Sequence, residues 1–250
     1  MLCPMTSDAS LPDLLHLLVV PTDFSGMAGR ALPLALALAE RSGAEVHLVH
    51  APAVHVDEAE EQQVRARLAA TCMMYRYTLP GREPVAMRPV VLARRPAGEA
   101  VGDYARQQHA GLVVMASHGR LAPQTGAWWS ENAARVVETA CCPVLLVPPG
   151  HGHRPEAVVS RAGAHAPWAE ALAHAFDVSV TDYAPTNGAS ANGASKSGVP
   201  RSALWLVDGL AGADALLAHT PAGVLVVPPP APCGDGAEAL ARTLAPPLPG

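Results

Sequence analysis

Few side chains in this sequence stand at spacings that could do chemistry. His118 could act as a general base, but neither a nucleophile nor an orienting carboxylate stands beside it in the sequence. His151 and His153 could give a metal two nitrogen ligands, yet a metal site needs three or four, and the two residues that follow them offer none. We therefore predict no catalytic residue and no metal site, and we interpret the histidine pair as part of a solvated linker.

The cysteines indicate a reducing compartment. There are five, an odd number, with no C-x-x-C spacing: Cys3, Cys72, Cys141, Cys142 and Cys233. The adjacent pair could join only through a strained ring, and free cysteines in front of an apolar strand usually pack as small apolar side chains. We expect a cytoplasmic protein, with a redox role for the adjacent pair as the alternative.

Composition and charge exclude several classes of protein. The chain has 250 residues, of which 50% are hydrophobic and 16% charged, so it can bury a core and is not disordered throughout. Its net charge of -5 leaves no broad basic surface for nucleic acid or for an anionic membrane. Apolar stretches such as residues 31–39 are far shorter than the ~20 residues that span a bilayer. We predict a soluble protein with one large domain or two small ones.

The pattern of apolar runs predicts the elements that would position these residues. Continuous apolar runs bounded by turn residues indicate strands that are buried on both faces. Five such strands are predicted at residues 16–20, 44–51, 85–92, 112–116 and 144–147. Helices are predicted between them at residues 27–41, 57–77, 98–109 and 131–140. Ser25 would cap the first helix and Gly43 would end it. The alternation predicts an α/β fold with a parallel sheet between two layers of helices.

The second half of the chain repeats part of this pattern. Residues 144–149 recur as 224–229, and residues 112–115 are echoed by 204–207. Strands are predicted at 157–159 and 178–180, with a helix at 165–176 between them. We divide the chain into a leader (1–13), a complete domain (14–149), a smaller second domain (150–230) and a proline-rich tail (231–250). Within the second domain, the low-complexity segment 186–200 is interpreted as a flexible linker.

Four segments of the first domain together resemble the universal stress protein family. They are LLVVPTDFS at residues 17–25, AEVHLVHA at 44–51, GLVVMASHGR at 111–120 and ARVVETACCPVLLVP at 134–148. The resemblance implies that residues 14–149 form a five-stranded parallel sheet of the adenine-nucleotide α-hydrolase-like, Rossmann-like type. It also implies that residues 157–229 are a second, degenerate copy, as in tandem members of the family.

The resemblance implies a nucleotide cleft. In ATP-binding members the adenine lies against the Asp after the first strand and the end of the second strand. The phosphates lie on a loop that reads G-x-x-G, about nine residues, then G-[S/T] before a helix. Carried over by position, the adenine side is Pro21, Asp23, Ala51 and Met115. The phosphate side is Ala116, Gly119, Ser130 and Glu131. This alignment leaves one extra residue in the loop, and Asp23 could equally cap the helix that follows it.

The phosphate side departs from the family pattern. Glycines let the backbone approach phosphates, but Ala116 and Ser130 replace two of them, and Glu131 adds a carboxylate where the helix begins. Two like charges ~4 Å apart repel by roughly 1 kcal/mol in water and about 4 kcal/mol at an effective dielectric of 20. Trp128 and Trp129 add bulk to the loop. We therefore expect no tightly bound cofactor, with ATP as a weak ligand.

These departures predict the function. We expect a non-enzymatic stress-response or regulatory module that acts through partner binding and binds adenine nucleotides weakly at most. The alternative is an ATP-binding member of the family with slow hydrolysis. The sequence contains no G-x-x-x-x-G-K-[ST] segment, which argues against an enzyme of the related nucleotide-cleaving folds.

The fifth predicted strand is the expected interaction edge. The resemblance implies that this strand pairs antiparallel with its equivalent in a partner. It consists of Val144, Leu145, Leu146 and Val147. An uncharged edge of this kind would recruit another strand if it were left bare. One hypothesis is an internal pseudo-dimer in which residues 224–227 cover the edge, and the other is a homodimer or larger assembly.

Overall fold

A computed structural model of the chain describes residues 14–52, 57–76, 84–92, 94–119, 129–148, 155–161, 166–183, 203–208 and 224–227. Several predictions concern residues outside these ranges: the leader, the linker at 186–200, the tail, Trp128 and the pair His151 and His153.

Strands and helices alternate through the first half of the chain. The strands are β1 (Leu17–Pro21), β2 (Glu45–His50), β3 (Met87–Val91), β4 (Leu112–Ala116) and β5 (Val144–Val147). The helices are α1 (Ala31–Ser42), α2 (Glu58–Arg76), α3 (Ala97–Gln107) and α4 (Glu131–Thr139). A 3-10 helix at Ala28–Arg30 precedes α1, so the helix predicted at 27–41 begins with a tighter turn. Gly43 follows α1 with a left-handed φ of 73°, which glycine adopts at no steric cost.

The alternation continues in the second half. Its elements are β6 (Ala157–Arg161), α5 (Ala166–Phe176), β7 (Ser179–Tyr183), β8 (Ala203–Asp208) and β9 (Val224–Val227). The strands and the helix predicted at 157–159, 178–180 and 165–176 correspond to β6, β7 and α5. Over the described ranges, no helix combines the length and the hydropathy that crossing a membrane requires.

The described strands join in one sheet. Their order is β3-β2-β1-β4-β5-β9-β8-β6-β7. Neighbouring strands within each half run parallel. The LLVV run of β1 is buried because helices cover both faces of the sheet. The predicted α/β fold with a predominantly parallel sheet is therefore confirmed.

The two halves meet at β5 and β9, which pair antiparallel. Leu145 lies opposite Leu225, and Val144 lies opposite Val226. Every residue of both strands is buried. The edge predicted to need a cover is thus covered by residues 224–227 of the same chain. The interpretation of the second half as a degenerate copy, and the choice between pseudo-dimer and homodimer, remain predictions.

Two apolar cores lie on opposite faces of the sheet. One packs α1, α2 and α5 against the sheet, with Leu38, Leu68 and Leu172 fully buried within it. The other packs α3 and α4 against the opposite face through residues such as Val101 and Val136. Because α1 and α5 belong to different halves and share the first core, buried apolar surface joins the halves in addition to the strand pairing.

Candidate functional site

A cleft of about 810 Å³ opens where β1, β2 and β4 end. Its walls come from the turn after β1, the ends of β2 and β4, the first turns of α3 and α4, and one face of α2. In the sheet β1 lies between β2 and β4, so the strand order reverses at β1. Parallel α/β sheets bind ligands at such a point, beyond the carboxyl ends of the strands. The cleft is therefore the candidate ligand site.

Seven of the eight residues that the sequence assigned to a nucleotide site line this cleft. They are Pro21, Asp23, Ala51, Met115, Ala116, Gly119 and Ser130. The eighth, Glu131, is exposed and is not among the lining residues. The structure thus brings the predicted adenine side and most of the predicted phosphate side around one space.

The turn after β1 is held by its own side chains. The Oδ1 atom of Asp23 accepts a hydrogen bond from the Ser25 N–H at 2.9 Å, and the Ser25 hydroxyl accepts one from the Ala28 N–H at 3.1 Å. Asp23 therefore shapes the turn, and Ser25 bonds to the first residue of the 3-10 helix, whose N-cap is Met27. A Cβ atom at Gly119 would lie 2.8 Å from the Oδ2 atom of Asp23. A side chain at position 119 would therefore displace the Asp23 carboxylate from its present position.

Three side chains that the sequence analysis did not single out form one wall of the cleft. We call Phe24, His50 and Arg67 the Phe24 cluster. The rings of Phe24 and His50 stack with centroids 4.9 Å apart. The guanidinium carbon of Arg67 lies 4.3 Å from the centre of the Phe24 ring. The Nδ1 atom of His50 lies 2.7 Å from the Thr22 carbonyl oxygen and donates its proton to it. The cluster therefore forms a fixed, partly aromatic surface.

Phe24 is held in an unusual backbone conformation. Its φ is 59°, in the left-handed region, which is uncommon for a residue with a bulky side chain. The Phe24 N–H donates to the Thr22 hydroxyl at 3.0 Å, and the neighbouring Asp23 turn fixes the chain on the other side. Such strain persists where the surroundings enforce it, and it often marks functional sites. The TDFS turn was the signal in the sequence that could have pointed to Phe24.

Helix α2 presents one row of side chains to the cleft. Glu60, Gln63, Val64 and Arg67 follow the three- and four-residue spacing of a helix face, and all four line the cleft. Glu60 also takes part in the start of the helix: its N–H donates to Asp57 at 2.8 Å, and the Asp57 N–H donates to its carboxylate at 3.4 Å. The sequence analysis missed this row because a polar helix face looks like an ordinary solvated surface.

Helix α4 gives a second way to align the phosphate loop. Ser130 is the N-cap of α4, and its hydroxyl accepts a hydrogen bond from the Ala133 N–H at 3.2 Å. Ser130 therefore takes the [S/T] position before the helix, and Trp129 takes the glycine position. Nine residues then separate Gly119 from Trp129, so the loop contains no extra residue. The assignment of Ser130 to a glycine position and of Glu131 to the [S/T] position stays a prediction beside this second alignment.

The first turn of α4 sends an amide, not a carboxylate, into the cleft. Asn132 lines the cleft, whereas Glu131 does not. The Oδ1 atom of Asn132 accepts a hydrogen bond from the Gly98 N–H at 3.2 Å, which ties the starts of α3 and α4 together. A Cβ atom at Gly98 would lie 2.7 Å from the Arg135 Cβ, so this approach requires glycine. The expectation that the Glu131 carboxylate occupies the phosphate position finds no support in where the residue lies.

His118 lines the cleft but is almost enclosed, with 5% of its surface exposed. Its Nδ1 atom lies 2.9 Å from the hydroxyl oxygen of Ser117, which is fully buried. A nucleophile must reach its substrate, and the Ser117 hydroxyl does not reach the cleft from this position. We therefore interpret the pair as a hydrogen bond that orients the His118 ring. Within the described ranges no three His, Cys, Asp or Glu residues cluster so as to hold a metal ion.

The adjacent cysteines lie between α4 and β5, away from the cleft. Cys142 is buried, and burial raises the pKa of its thiol to about 12. Cys141 is exposed, with a left-handed φ of 57°. The Cys142 thiol therefore stays protonated at neutral pH and packs as a small apolar group.

Comparison with protein families identifies the class of protein. A model of the universal stress protein family matches residues 16–148, more than half of the chain. The match contains all five strands of the first half and the whole cleft. The chain therefore belongs to the universal stress protein family. No curated protein matches the sequence.

Solved structures of universal stress proteins share the fold. One from Archaeoglobus fulgidus DSM 4304 is 9% identical, with a TM-score of 0.59, and the match covers 86% of this chain and 98% of that chain. A protein assigned to the same family from Pseudomonas aeruginosa UCBPP-PA14 is 13% identical, with a TM-score of 0.54 and coverage of 88% and 95%. A universal stress protein in complex with cAMP is 24% identical, with a TM-score of 0.41 and coverage of 53% and 96%. The first two matches extend over both halves of the chain.

Proposed function

We propose that this protein is a non-enzymatic stress-response module that acts through partner binding, and that its cleft binds adenine nucleotides weakly, by their base. The observation that carries the proposal is a contrast between two sides of one cleft. The predicted base-side residues all line the cleft. The loop that would hold a triphosphate has lost two glycines, at Ala116 and Trp129.

The base side provides an apolar surface for a planar ring. Met115 lines the cleft while only 8% exposed, and Ala51 is a small side chain that leaves space beyond the end of β2. Pro21 and Phe24 add apolar surface after β1. A base that packs against such side chains gains from the hydrophobic effect, and the carboxylate of Asp23 provides an acceptor for a base N–H.

The phosphate side provides little for a triphosphate chain. Trp129 and Ala116 carry side chains where the family loop needs close approach of its backbone to phosphates. The Ser130 hydroxyl already accepts a hydrogen bond within α4, and the Asn132 amide oxygen accepts one from α3. Glu131, as the first residue of α4, offsets the positive end of the helix dipole. We therefore expect the β- and γ-phosphates to add little affinity.

Calorimetric titration with AMP tests the proposal. We expect the wild type to bind AMP and Ala51→Phe, which fills the cleft, to lose the binding. Ala66→Phe is the matched control, because Ala66 is exposed on α2 and does not line the cleft. The proposal is contradicted if the wild type does not bind AMP, or if Ala51→Phe binds it as well as the wild type does.

An ATP-binding protein with slow hydrolysis is the second candidate. It is favoured by Gly119 and Ser130, which line the cleft. These two residues match the second glycine and the [S/T] position of the family loop at the family's spacing. Phosphate release from ATP by the purified protein separates the candidates. Release that disappears in Ala51→Phe would support the hydrolytic candidate, and release at background level would support the non-enzymatic proposal.

We further propose that the second half is a degenerate copy of the first that covers the β5 edge. Two observations support this proposal. The order β7-β6-β8-β9 repeats the order β2-β1-β4-β5, and the Leu145–Leu225 pair is the centre of a register with local two-fold symmetry. Sedimentation of the intact protein is then expected to show a monomer, whereas a dimer would favour the homodimer hypothesis.

Partner binding is proposed to use surfaces other than the β5 edge, since β9 occupies that edge. Met73 and Met74 on α2 support this part of the proposal, because they are 52% and 60% exposed. Methionine side chains are flexible and polarizable, which suits adaptable contacts with other proteins.

A further inference from the structure

We propose that Arg67 binds the phosphate group of a nucleoside monophosphate in the cleft, and that AMP rather than ATP is therefore the better class of ligand. The inference rests on the proposed binding of adenine nucleotides by the same cleft. It adds an anion-binding residue on α2, an element that is not part of the family's phosphate loop.

The charge of Arg67 is not compensated by a carboxylate anywhere in the described ranges. Its guanidinium contacts the ring of Phe24, and none of the ion pairs between described residues includes it. Glu61 lies on the same helix, but its carboxylate pairs with Arg65 and Arg94 instead. A cation at a cleft that pairs with no carboxylate among the described residues is available to an anionic ligand.

The other acidic groups at the cleft have roles of their own. The carboxylate of Glu60 accepts a hydrogen bond from the Asp57 N–H at the start of α2. The carboxylate of Asp23 holds the turn after β1 and faces Gly119 on the β4 side. Both groups repel an anion placed beside them, which favours a position for the phosphate near Arg67.

Arg67 keeps its hydrogen-bond donors accessible. In the described ranges the Arg67 guanidinium takes part in none of the hydrogen bonds that arginine side chains make, and a guanidinium can donate two parallel hydrogen bonds to a phosphate. Arg67 is exposed and lines both the cleft and a second cavity of about 170 Å³ on the other side of the Phe24 turn. Arg67 therefore borders two open spaces.

The Phe24 cluster positions the guanidinium. Phe24 is fixed by its turn and by stacking on His50, which is itself hydrogen-bonded to the Thr22 carbonyl. An arginine held against a fixed ring loses less conformational freedom when it binds an anion than a mobile one does. One guanidinium matches one phosphate group, and two residues at the start of α4, Ser130 and Asn132, already use their side-chain oxygens in hydrogen bonds within the protein. A single phosphate is therefore the part of a nucleotide that this cleft can recognise.

Calorimetric titrations with adenosine and with AMP test the inference. We expect the wild type to bind AMP about tenfold or more tighter than adenosine, the usual effect of charge-assisted hydrogen bonds. Arg67→Met keeps an apolar stem of similar length, so it should bind adenosine as the wild type does and lose the preference for AMP. Arg65→Met is the matched control, because Arg65 lies on the same helix, pairs with Glu61 and does not line the cleft; it should keep the preference.

Other outcomes would overturn the inference. If the wild type binds adenosine and AMP equally, or if Arg67→Met keeps the full preference, Arg67 does not bind the phosphate, while binding of adenosine would still support the proposed function. If neither ligand binds to the wild type, the proposed function and the inference both fail. Arg67→Lys keeps the charge without the planar fork and should keep part of the preference. Should Arg67→Met not fold, a full preference in Arg67→Lys would contradict bidentate binding.

Discussion

The two halves of the chain have the same strand order, but the first half forms the cleft and the second half covers a sheet edge. β2-β1-β4-β5 and β7-β6-β8-β9 run in the same order, and α1 and α5 each connect the first two strands of their half. Every residue found to line the cleft belongs to the first half. β9 of the second half covers β5 of the first. The comparison teaches that one strand order can frame a cleft in one half and cover a sheet edge in the other.

The largest effect is expected where the halves join. Leu225 is fully buried, lies opposite Leu145 and belongs to the core that both halves share. Leu225→Ala should lower the free energy of unfolding by about 2–5 kcal/mol, because it removes buried methyl groups and leaves a cavity. Urea unfolding followed by circular dichroism measures the change.

The outer strand of the second half gives the control. Val180 on β7 is 39% exposed, so Val180→Ala should change the same free energy by about 0.5 kcal/mol or less. Equal losses for the two variants would mean that the junction is no more important than the outer edge, and the comparison of the halves would then be wrong.

A smaller loss is expected at the α3–α4 contact, which belongs to the first half. A Cβ atom at Gly102 would lie 1.8 Å from the Thr139 hydroxyl oxygen and 2.8 Å from the Thr139 Cβ. Gly102→Ala should therefore lower the free energy of unfolding by about 1–3 kcal/mol through overpacking. Gly29→Ala is the control, since nothing lies within 4 Å of a Cβ at Gly29. If Gly102→Ala behaved like the control, the helices would not be as tightly packed as described.

Most of the fold could be predicted from local sequence. The runs that form β1 and β5 are apolar throughout, which is typical of strands covered on both faces, and Gly43 ended its helix as expected. The antiparallel junction of β5 and β9 could not be predicted in this way. The hydrophobic pattern shows that a strand edge needs a cover, but it does not show whether the covering strand comes from the same chain or from another chain. Only the three-dimensional arrangement pairs Leu145 with Leu225.

The candidate site could be predicted where a residue follows a strand directly. Asp23, Ala51 and Met115 line the cleft because strand ends meet at one edge of a parallel sheet, and their role in binding a ligand stays a prediction. Arg67 was missed because its role depends on which face of α2 turns toward the cleft. The position of Glu131 was harder to predict, because the alignment was counted back from β5 and so assumed the length of α4.

The reactivity of the two thiols before β5 measures how firmly β9 is paired with β5. Iodoacetamide at about pH 8 should label Cys141, which is exposed, and leave Cys142 unlabelled, because burial raises the pKa of the Cys142 thiol to about 12. Leu225→Ala should increase labelling of Cys142 by opening the junction more often. Mass spectrometry of the peptides gives both values. Labelling of Cys142 in the folded wild type at the rate of Cys141 would contradict this account.

The smallest effect concerns pH and a surface ion pair. Hydrogen bonds from Arg65 and Arg94 hold the pKa of Glu61 below its ordinary value of 4.5. As the pH falls, the Glu61 carboxylate is therefore protonated at a higher pH in the unfolded chain than in the folded protein. The contribution of Glu61 to stability should be complete above about pH 5 and should be lost as the pH falls through the folded pKa. Because the pair is on the surface, only a slight difference between wild type and Glu61→Gln is expected. A difference that grew as the pH fell would contradict the assignment.

The relative affinity of the intact wild-type protein for ATP and AMP tests the central claim most directly. The claim is that the cleft recognises the base and one phosphate and has lost the loop for the other two. Calorimetry with Mg²⁺ present should give dissociation constants for ATP and AMP within about threefold of each other, a difference of less than ~1 kcal/mol. ATP bound about tenfold or more tighter than AMP would show that the triphosphate has a cradle after all and would contradict the account.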